Sequence, residues 1–169
     1  MNKKTRNILI VLLILVIGVG VAVAVAFGSH KSDNFAPKLD PVAEKMEDTG
    51  EKMEAPEGGG AVSLTYSTIV TISMEEKQAE VLFENPSKST KSTVLQVMLK
   101  GQEENQEMLI AESDLIPAGY KISQLALKED INLEPGRYEG EFNVLYYDVE
   151  SGEKEVVDTK IPVSIIVNR

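Results

Sequence analysis

Few residues of this chain have side chains and spacings suited to catalysis. The 169 residues include no Cys and a single His, His30, in a polar segment before residue 61, so the region after it has no Ser-His or Cys-His pair. Carboxylates are abundant and a pair for glycoside hydrolysis stays open, but no spacing singles out two of them. The sequence has no GxGxxG, P-loop or HExxH motif. We therefore predict a protein that is not an enzyme, with no catalytic, cofactor-binding or metal-binding residues and no cofactor.

Two short segments carry side chains that suit ligand binding. Around one predicted hairpin lie four acids, namely Asp148, Glu150, Glu153 and Glu155. Oxygen ligands suit calcium, whereas the simpler interpretation is a charged hairpin that keeps a sheet edge soluble. Residues 87–93, SKSTKST, offer hydroxyl and Lys groups to glycans or wall polymers, and the simpler interpretation is a solvated loop.

The charge balance argues against nucleic acid as a partner. The formal net charge is -10, from 17 basic and 27 acidic residues. Lys3, Lys4 and Arg6 precede an apolar run, which leaves 14 basic against 27 acidic residues, or -13, in the remainder. Nucleic acids and anionic lipid surfaces both attract basic patches, so a domain this acidic is predicted to bind neither.

The N-terminal region predicts a membrane segment. Residues 8–27 contain no charge, and 20 helical residues span about 30 Å, the thickness of the bilayer's hydrocarbon core. The basic residues at 1–7 predict a cytoplasmic tail and an exported remainder. The run is longer than the apolar core of a cleaved signal peptide, which favours a signal-anchor, although Ala24-Val25-Ala26 fits a cleavage site and secretion remains the alternative.

Residues 28–60 are predicted to form a flexible, disordered, acidic linker. They contain four Lys, eight acids, Pro37, Pro41 and Pro56, and they end in three glycines. Such a composition buries too little apolar surface to fold alone. The repeat EKME at 44–47 and 51–54 is too short for a coiled coil and is interpreted as a fraying helix.

Residues 61–169 are predicted to be all-β. Short β-rich runs separated by turn residues occur at 62–73, 78–85, 93–100, 107–112, 120–127, 133–148 and 155–167. The first of these is one strand or a broken pair. A count of about seven strands suits an Ig-like antiparallel β-sandwich.

The run LEPGRYEGEFNVLYYD, residues 133–148, shows why a sandwich is expected. Pro135-Gly136 suits a type II turn with Gly136 at positive φ. Tyr138 then leads an alternating strand, as the tyrosine corner of Ig-like sandwiches does, with its hydroxyl bonded to backbone a few residues upstream. Leu145 is the apolar exception on the otherwise polar face, and Gly152 is placed for a bulge in the next hairpin.

The last run alternates strictly. Val157, Thr159, Ile161, Val163, Ile165 and Val167 are predicted to face the core. Pro162 lies on the other face and cannot donate to a ladder, which predicts a sheet edge or a bulge there.

A resemblance rests on the order LIPAGYKISQL, LEPGRYEGEFNVLYYD, ESGEK and IPVSIIV. It resembles the C-terminal half of small bacterial Ig-like modules, in which a P-x-G turn, an L-x-PG-x-Y corner and a closing hairpin follow one another. The chain is also similar to small membrane-anchored surface proteins of Gram-positive bacteria that carry one such module behind a signal-anchor. The resemblance covers about residues 61–167, implies a fold and a surface location, and specifies no activity. The chain has no LPxTG-like sorting signal, which argues against covalent attachment to the wall.

The predicted function is a membrane-anchored extracellular module for protein–protein contact or envelope assembly. The expected partners are an envelope protein or a wall polymer, together with the membrane through the N-terminal helix. A carbohydrate- or wall-polymer-binding module is the alternative, and it requires Tyr120 and Tyr147 to be exposed and coplanar. A pilin-like subunit is ranked below both, because the apolar run lacks the early glutamate of type IV pilin helices.

Overall fold

The computed structural model describes residues 34–47, 50–57, 59–101 and 107–168. The predicted cytoplasmic tail 1–7, the predicted signal-anchor 8–27 and His30 lie outside these residues. Within the described ranges, no helix is long and apolar enough to cross a membrane.

The described residues are all-β, which confirms the predicted class. The broken pair expected within 62–73 is two strands, and one further strand lies in the predicted linker. The nine strands of this part of the chain are β1 (Glu44–Lys45), β2 (Thr65–Tyr66), β3 (Ile69–Ser73), β4 (Gln78–Asn85), β5 (Lys91–Lys100), β6 (Glu107–Glu112), β7 (Tyr120–Ala126), β8 (Gly136–Asp148) and β9 (Lys154–Asn168).

These strands form one continuous hydrogen-bonded sheet that curls on itself. The order is β1-β7-β4-β3-β9-β8-β5-β6, and β2 pairs with β4. An isolated bridge joins Ala111 on β6 to Leu127 just beyond β7, so the two ends of the sheet approach one another. The prediction was purely antiparallel, whereas β3 and β9 pair in parallel, with Ile69 opposite Ser164.

The core lies between the two halves of the curled sheet. Alternate residues of β4 and β8 face it, because successive side chains of a strand point to opposite faces. Phe83 of β4 and Phe142 of β8 are fully buried, and their rings meet edge to face with centroids 6.5 Å apart. These two rings therefore join the β7-β4-β3 half to the β9-β8-β5-β6 half.

The tyrosine corner is confirmed in its hydrogen bond. The hydroxyl of Tyr138 donates to the backbone oxygen of Glu134 at 2.8 Å, and the ring packs against the core. The predicted type II turn at Gly136 is wrong, because this residue already begins β8 and has no positive φ. Gly119 does have a positive φ, of 86°. It lies in a turn that is closed by a hydrogen bond from the N–H of Tyr120 to Pro117 O.

Pro162 lies at a sheet edge, as predicted. Ser164, two residues further on, donates its N–H to Thr68 O at 2.8 Å, on the side of β9 away from β8. Backbone nitrogens two residues apart in a strand point to the same side, so the nitrogen of Pro162 faces the same side as that of Ser164. On that side the pairing of β3 with β9 begins only at Ser164. The proline therefore removes no ladder hydrogen bond.

The prediction that Val157 faces the core is wrong. Leu145 of β8 is opposite Asp158, but Tyr147 is opposite Lys154, so three residues of β9 lie opposite the single residue between them. These three residues of β9, among them Val157, leave the regular ladder with β8 at this bulge. Val157 is 71% exposed as a result, whereas Ile161 and the later alternate residues are buried.

The first part of the predicted linker differs from the disordered chain expected. Residues 34–47, called the strap from here on, lie on the sheet: Glu44 and Lys45 form β1 against β7, where a fraying helix was expected. Phe35 bridges Glu153 in antiparallel fashion, and Leu39 bridges Leu115 in parallel. The composition argument holds for a segment folding alone, but the strap uses an edge that the sheet already provides.

Asp40 fixes the strap. Its carboxylate is 4% exposed and accepts the backbone N–H of Val42 at 2.9 Å and of Asp114 at 2.7 Å. Its own backbone N–H donates to Leu115 O at 2.9 Å. A buried carboxylate is stable only when it is hydrogen-bonded in this way.

The strap also explains the apolar exception at Leu145. Leu145 and Tyr147 of β8 and Val94 of β5 form a small buried cluster on the outer face of the sheet. Ala36 of the strap and Leu115 pack against it. The outer face is therefore apolar where the strap covers it.

Substitution of Gly140 tests how tightly the curled sheet is packed. A Cβ at this position would overlap Ile165 Cδ1 and lie 2.6 Å from Met98 O. We expect Gly140→Ala to lower the free energy of unfolding of the fragment 34–169 by about 1–3 kcal/mol in urea denaturation, as overpacking does. Gly136→Ala, whose Cβ would meet only Tyr138 Cε2 at 3.7 Å, is the control and should change it by less than about 0.5 kcal/mol. Equal effects would contradict this account.

Asp40 tests the strap. Asp40→Ala removes the charged acceptor of two part-buried hydrogen bonds, from the N–H groups of Val42 and Asp114, so we expect a loss of about 1–3 kcal/mol and faster hydrogen exchange at Ala36 and Met46. Asp114→Ala keeps the amide that Asp40 binds and should leave both readouts near the wild-type values. Unchanged exchange in Asp40→Ala would show that other contacts hold the strap.

Candidate functional site

The acidic hairpin is shaped by its own hydrogen bonds. Asp148 Oδ1 accepts the N–H groups of Glu150 at 3.0 Å and Ser151 at 2.9 Å, and Gly152 has φ 71°, in the left-handed region that favours glycine. The bulge in the β8–β9 ladder lies between Leu145 and Tyr147 and not at the predicted Gly152. The N–H of Asp148 donates to Glu153 O at 2.9 Å. One carboxylate of the acidic cluster thus serves the turn itself.

The positive charge beside this hairpin comes from a lysine. Lys91 Nζ lies 2.8 Å from Asp148 Oδ2 and also pairs with Glu155 Oε1. The hydrogen bond from Lys91, followed by those from the Ser151 and Glu150 amides, holds the pKa of Asp148 well below its ordinary value of 3.8. The hydrogen bonds to Asp148 and Glu155 raise the pKa of Lys91.

The calcium hypothesis required the four acids of the hairpin to be available as ligands. Of the four acids of the predicted hairpin, Asp148 and Glu155 share the Lys91 ammonium, while Glu150 and Glu153 are exposed. Within the described ranges, no three His, Asp or Glu side chains converge as ligands of one metal ion.

The hydroxyl-rich run 87–93 is not a solvated loop. Ser89 is fully buried, and its hydroxyl donates to Ser63 O at 2.9 Å and accepts Ser63 N–H at 3.0 Å. The hydroxyl of Thr90 likewise donates to Ala61 O and accepts Ala61 N–H. These two hydroxyls hold the segment that leads to β2 instead of facing a glycan.

The two tyrosines proposed as an aromatic platform do not form one. Tyr147 is 5% exposed beneath the strap, and Tyr120 is half-buried against the main core. Stacking on a sugar needs an open ring face, which the buried Tyr147 lacks. The two features that suggested a wall-polymer ligand, the tyrosines and the hydroxyl run, are thus largely engaged inside the domain.

The buried acid on the outer face of β8 lies between two lysines. Glu141 is 6% exposed and lies between Lys160 Nζ at 2.8 Å and Lys100 Nζ at 3.4 Å. Burial by itself would raise the pKa of Glu141, but the hydrogen bonds and charges of Lys160 and Lys100 together outweigh it and lower that pKa. A general acid needs a raised pKa, so Glu141 does not suit that role.

A shallow groove of about 710 Å³ lies next to this ion-pair network. Its lining includes Arg137, Lys100, Glu139 and Ser164. The groove therefore carries both signs of charge, and these residues supply no nucleophile with an adjacent base.

Sequence reasoning missed the exposed apolar residues. Val156 and Val157 project from the β9 bulge, and Ile69 and Leu82 lie on the outer side of the neighbouring strands β3 and β4. Side chains alternate between the two faces of β4, so Leu82 points away from the core that Val81 and Phe83 enter. The sequence pattern therefore already indicated that Leu82 would be exposed. The bulge at Val156 had no such signal, because it depends on the register with β8.

Comparison with known proteins gives distant structural similarities, of which two are described below. No protein-family model matches the chain, and no curated protein is significantly similar to it in sequence. AggA, the major subunit of aggregative adherence fimbriae type I from Escherichia coli, is 9% identical, with 69% of this chain and 100% of that chain covered and a TM-score of 0.37. In the CsuC–CsuE chaperone–tip adhesion subunit complex of Csu pili from Acinetobacter baumannii, a chain is 17% identical, with 64% of this chain and 57% of that chain covered and a TM-score of 0.37. Both TM-scores are too low to establish a shared fold.

Lys91 tests the electrostatics of the hairpin. Lys91→Met removes the ammonium, so we expect the pKa of Asp148 in a carboxyl NMR titration to rise toward 3.8 while staying below it, since the turn amides remain. Because folding lowers the pKa of Asp148, its contribution to stability is present above the unfolded pKa and is lost as the pH falls through the folded value. Lys91→Met should therefore lose less stability on acidification than the wild type.

The control is Lys128→Met, which removes the exposed pair with Glu112. It should leave the titration of Asp148 unchanged. A pKa of Asp148 that also stays unchanged in Lys91→Met would show that the turn amides alone hold it down.

Proposed function

We propose that this chain is a surface protein whose residues 8–27 anchor it in the membrane and whose β-domain, an Ig-like module, acts outside the cell by binding another protein. The uncharged run behind three basic residues supports the anchor and its orientation. The tyrosine corner at Tyr138 supports the Ig-like assignment. The buried hydroxyls and the paired carboxylates favour a binding role over catalysis.

The observation that carries the protein-contact role is the difference between the two outer faces of the sheet. On the β9-β8-β5-β6 half, the strap covers one region and the Glu141 ion-pair network fills another. On the other half, Ile69 is 50% and Leu82 is 44% exposed on adjacent strands. Ile69 and Leu82 are neighbours across β3 and β4, and contiguous exposed apolar side chains, unlike isolated ones, indicate protein contacts.

The wall-polymer alternative loses its aromatic platform with the burial of Tyr147. The pilin-like alternative depends on association through residues 8–27, which lie outside the described residues, and it stays an untested prediction. Assembly of an envelope structure remains compatible with the contact surface on β3 and β4.

Site-specific photo-crosslinking in intact cells tests the proposal. We expect a cross-linkable residue at Leu82 to give a discrete adduct with one envelope protein, while the same residue at Met108 of β6, which is equally exposed at 44%, gives none. Ile69→Glu should weaken the Leu82 adduct several-fold without changing the urea midpoint. Added protease should remove the domain from intact cells.

Adducts of equal yield at Leu82 and Met108 would mean that β3 and β4 form no specific contact surface. A domain protected from external protease would overturn the extracellular orientation.

A further inference from the structure

We propose that two copies of this domain associate through the first half of β9, whose free edges pair in antiparallel fashion about Thr159. The occupant of this sheet edge is thus a second copy of the chain. The inference goes beyond the proposed contact on β3 and β4, and it does not require the membrane anchor.

The first half of β9 has a neighbouring strand on one side only. β8 accompanies β9 on that side, whereas β3 pairs with the other side only from Ser164 onward. At the opposite end of this other side, Asn34 O accepts the N–H of Lys154 at 2.8 Å. Between Lys154 and Ser164, no strand or loop within the described ranges pairs with this side of β9. The sheet therefore has a gap here, called the β9 gap from here on.

The β9 gap exposes backbone hydrogen-bonding groups. Ser164 directs its N–H away from β8, and residues two apart in a strand direct their backbone groups to the same side. The N–H and C=O groups of Asp158 and Lys160 therefore face the gap, and Pro162 adds a C=O without an N–H. A row of such groups is a template for pairing with another strand.

The bounds of the gap determine where a second β9 fits. Asn34 occupies the backbone of Lys154 at one end, and Thr68 occupies that of Ser164 at the other. Thr159 lies midway between these two ends. A two-fold contact repeats each pairing in both copies, so a pair of antiparallel β9 strands centred on Thr159 uses the whole gap of each copy.

The charges within the gap select the same centre. With Thr159 opposite its own copy, Asp158 lies opposite Lys160 of the second copy, and the two residues direct their backbone groups toward one another. A shift by two residues would place Asp158 opposite Asp158, or Lys160 opposite Lys160, and like charges directly opposite are destabilising. A shift by one residue would oppose gap-facing groups to groups that already pair with β8. Length and charge therefore agree on one register.

The exposed valines of β9 gain neighbours in this register. Val156 is fully exposed and Val157 is 71% exposed in the single copy. The pairing places Val156 opposite Pro162 of the second copy and Val157 opposite Ile161 of that copy. Such cross-strand apolar pairs stabilise a sheet, so the second copy accounts for side chains that the domain itself leaves uncovered.

Lys160 has room for the additional carboxylate. Its Nζ lies 2.8 Å from Glu141 Oε1 and 3.1 Å from Glu107 Oε2, and its side chain is still 51% exposed. An ammonium group has three N–H donors, so it can bind Asp158 of the second copy without releasing either acid.

Disulfide trapping in the full chain tests the pairing, because the chain has no cysteine of its own. The two copies of Thr159 would form a pair without mutual backbone hydrogen bonds, with Cα atoms about 4.5 Å apart, which a disulfide spans. Val157 and its copy would be offset by four residues, or roughly 13 Å, which is too far. Under mild oxidation of intact cells, we expect Thr159→Cys to give at least about five-fold more disulfide-linked dimer than Val157→Cys.

Val157→Cys is a demanding control, because Val157 is exposed whereas Thr159 is half-buried. Random collision would favour position 157, and parallel pairing would trap both positions. Equal or greater trapping at position 157, or no trapping at position 159, would therefore overturn the inference.

A charge reversal tests the register in the Thr159→Cys background. Asp158→Lys would oppose Lys160 of the second copy with a like charge, so we expect the yield of linked dimer to fall several-fold. Glu150→Lys makes the same change at an exposed acid of the hairpin and should leave the yield unchanged. Ile69→Glu should also leave it unchanged, since β3 and β4 form a separate surface. A yield that survives Asp158→Lys would overturn the register.

Amide exchange provides a readout that needs no cysteine. Residues 34–169 form a compact unit with its own core and can be studied by themselves. We expect the amides of Asp158 and Lys160 to become more protected as the protein concentration rises, whereas the amide of Thr159, which pairs with β8, should not change. Protection of Asp158 and Lys160 in a fragment that stays monomeric by light scattering would show that the chain fills its own gap, and would overturn the second copy as occupant. Amides that stay unprotected in a dimeric fragment would place the contact elsewhere and overturn it as well.

Discussion

The contact on which the fold depends is the meeting of Phe83 and Phe142 at the centre of the curled sheet. The chain has no disulfide to close its two halves, so apolar burial must hold them together. The edge-to-face rings tie β4 to β8, which are three steps apart in the sheet order. Everything outside this core follows from it, because the curl creates one outer face that the strap covers and another that stays open.

Buried polar groups join the loops to this core. Asn85 is fully buried and donates from its side-chain amide to the backbone oxygens of Lys91 and Ile116. Ser113 accepts the N–H of Leu95, and Asp40 accepts two amides from the strap and its neighbour. Each of these groups satisfies backbone that the sheet leaves unpaired at a corner. Residue types that suggest ligand binding on a surface are here used to hold the domain together.

The strap shortens the part of the predicted linker that lies outside the domain. A disordered linker of 33 residues would have a reach of about 30 Å, but the strap returns residues from 34 onward to the domain. Residues 28–33 of the predicted linker lie outside the described residues.

The sequence by itself determined the all-β class, most strand positions, the corner hydrogen bond of Tyr138 and the edge position of Pro162. These follow from alternation and local turn chemistry, which act over a few residues. Only the tertiary structure decided the burial of Leu145, the exposure of Val157 and the ion pairs of Lys91. Leu145 depends on the strap, Val157 on its register with β8, and Lys91 on carboxylates more than 50 residues away along the chain. No local pattern encodes such pairings, because they arise only when distant strands meet in the curled sheet.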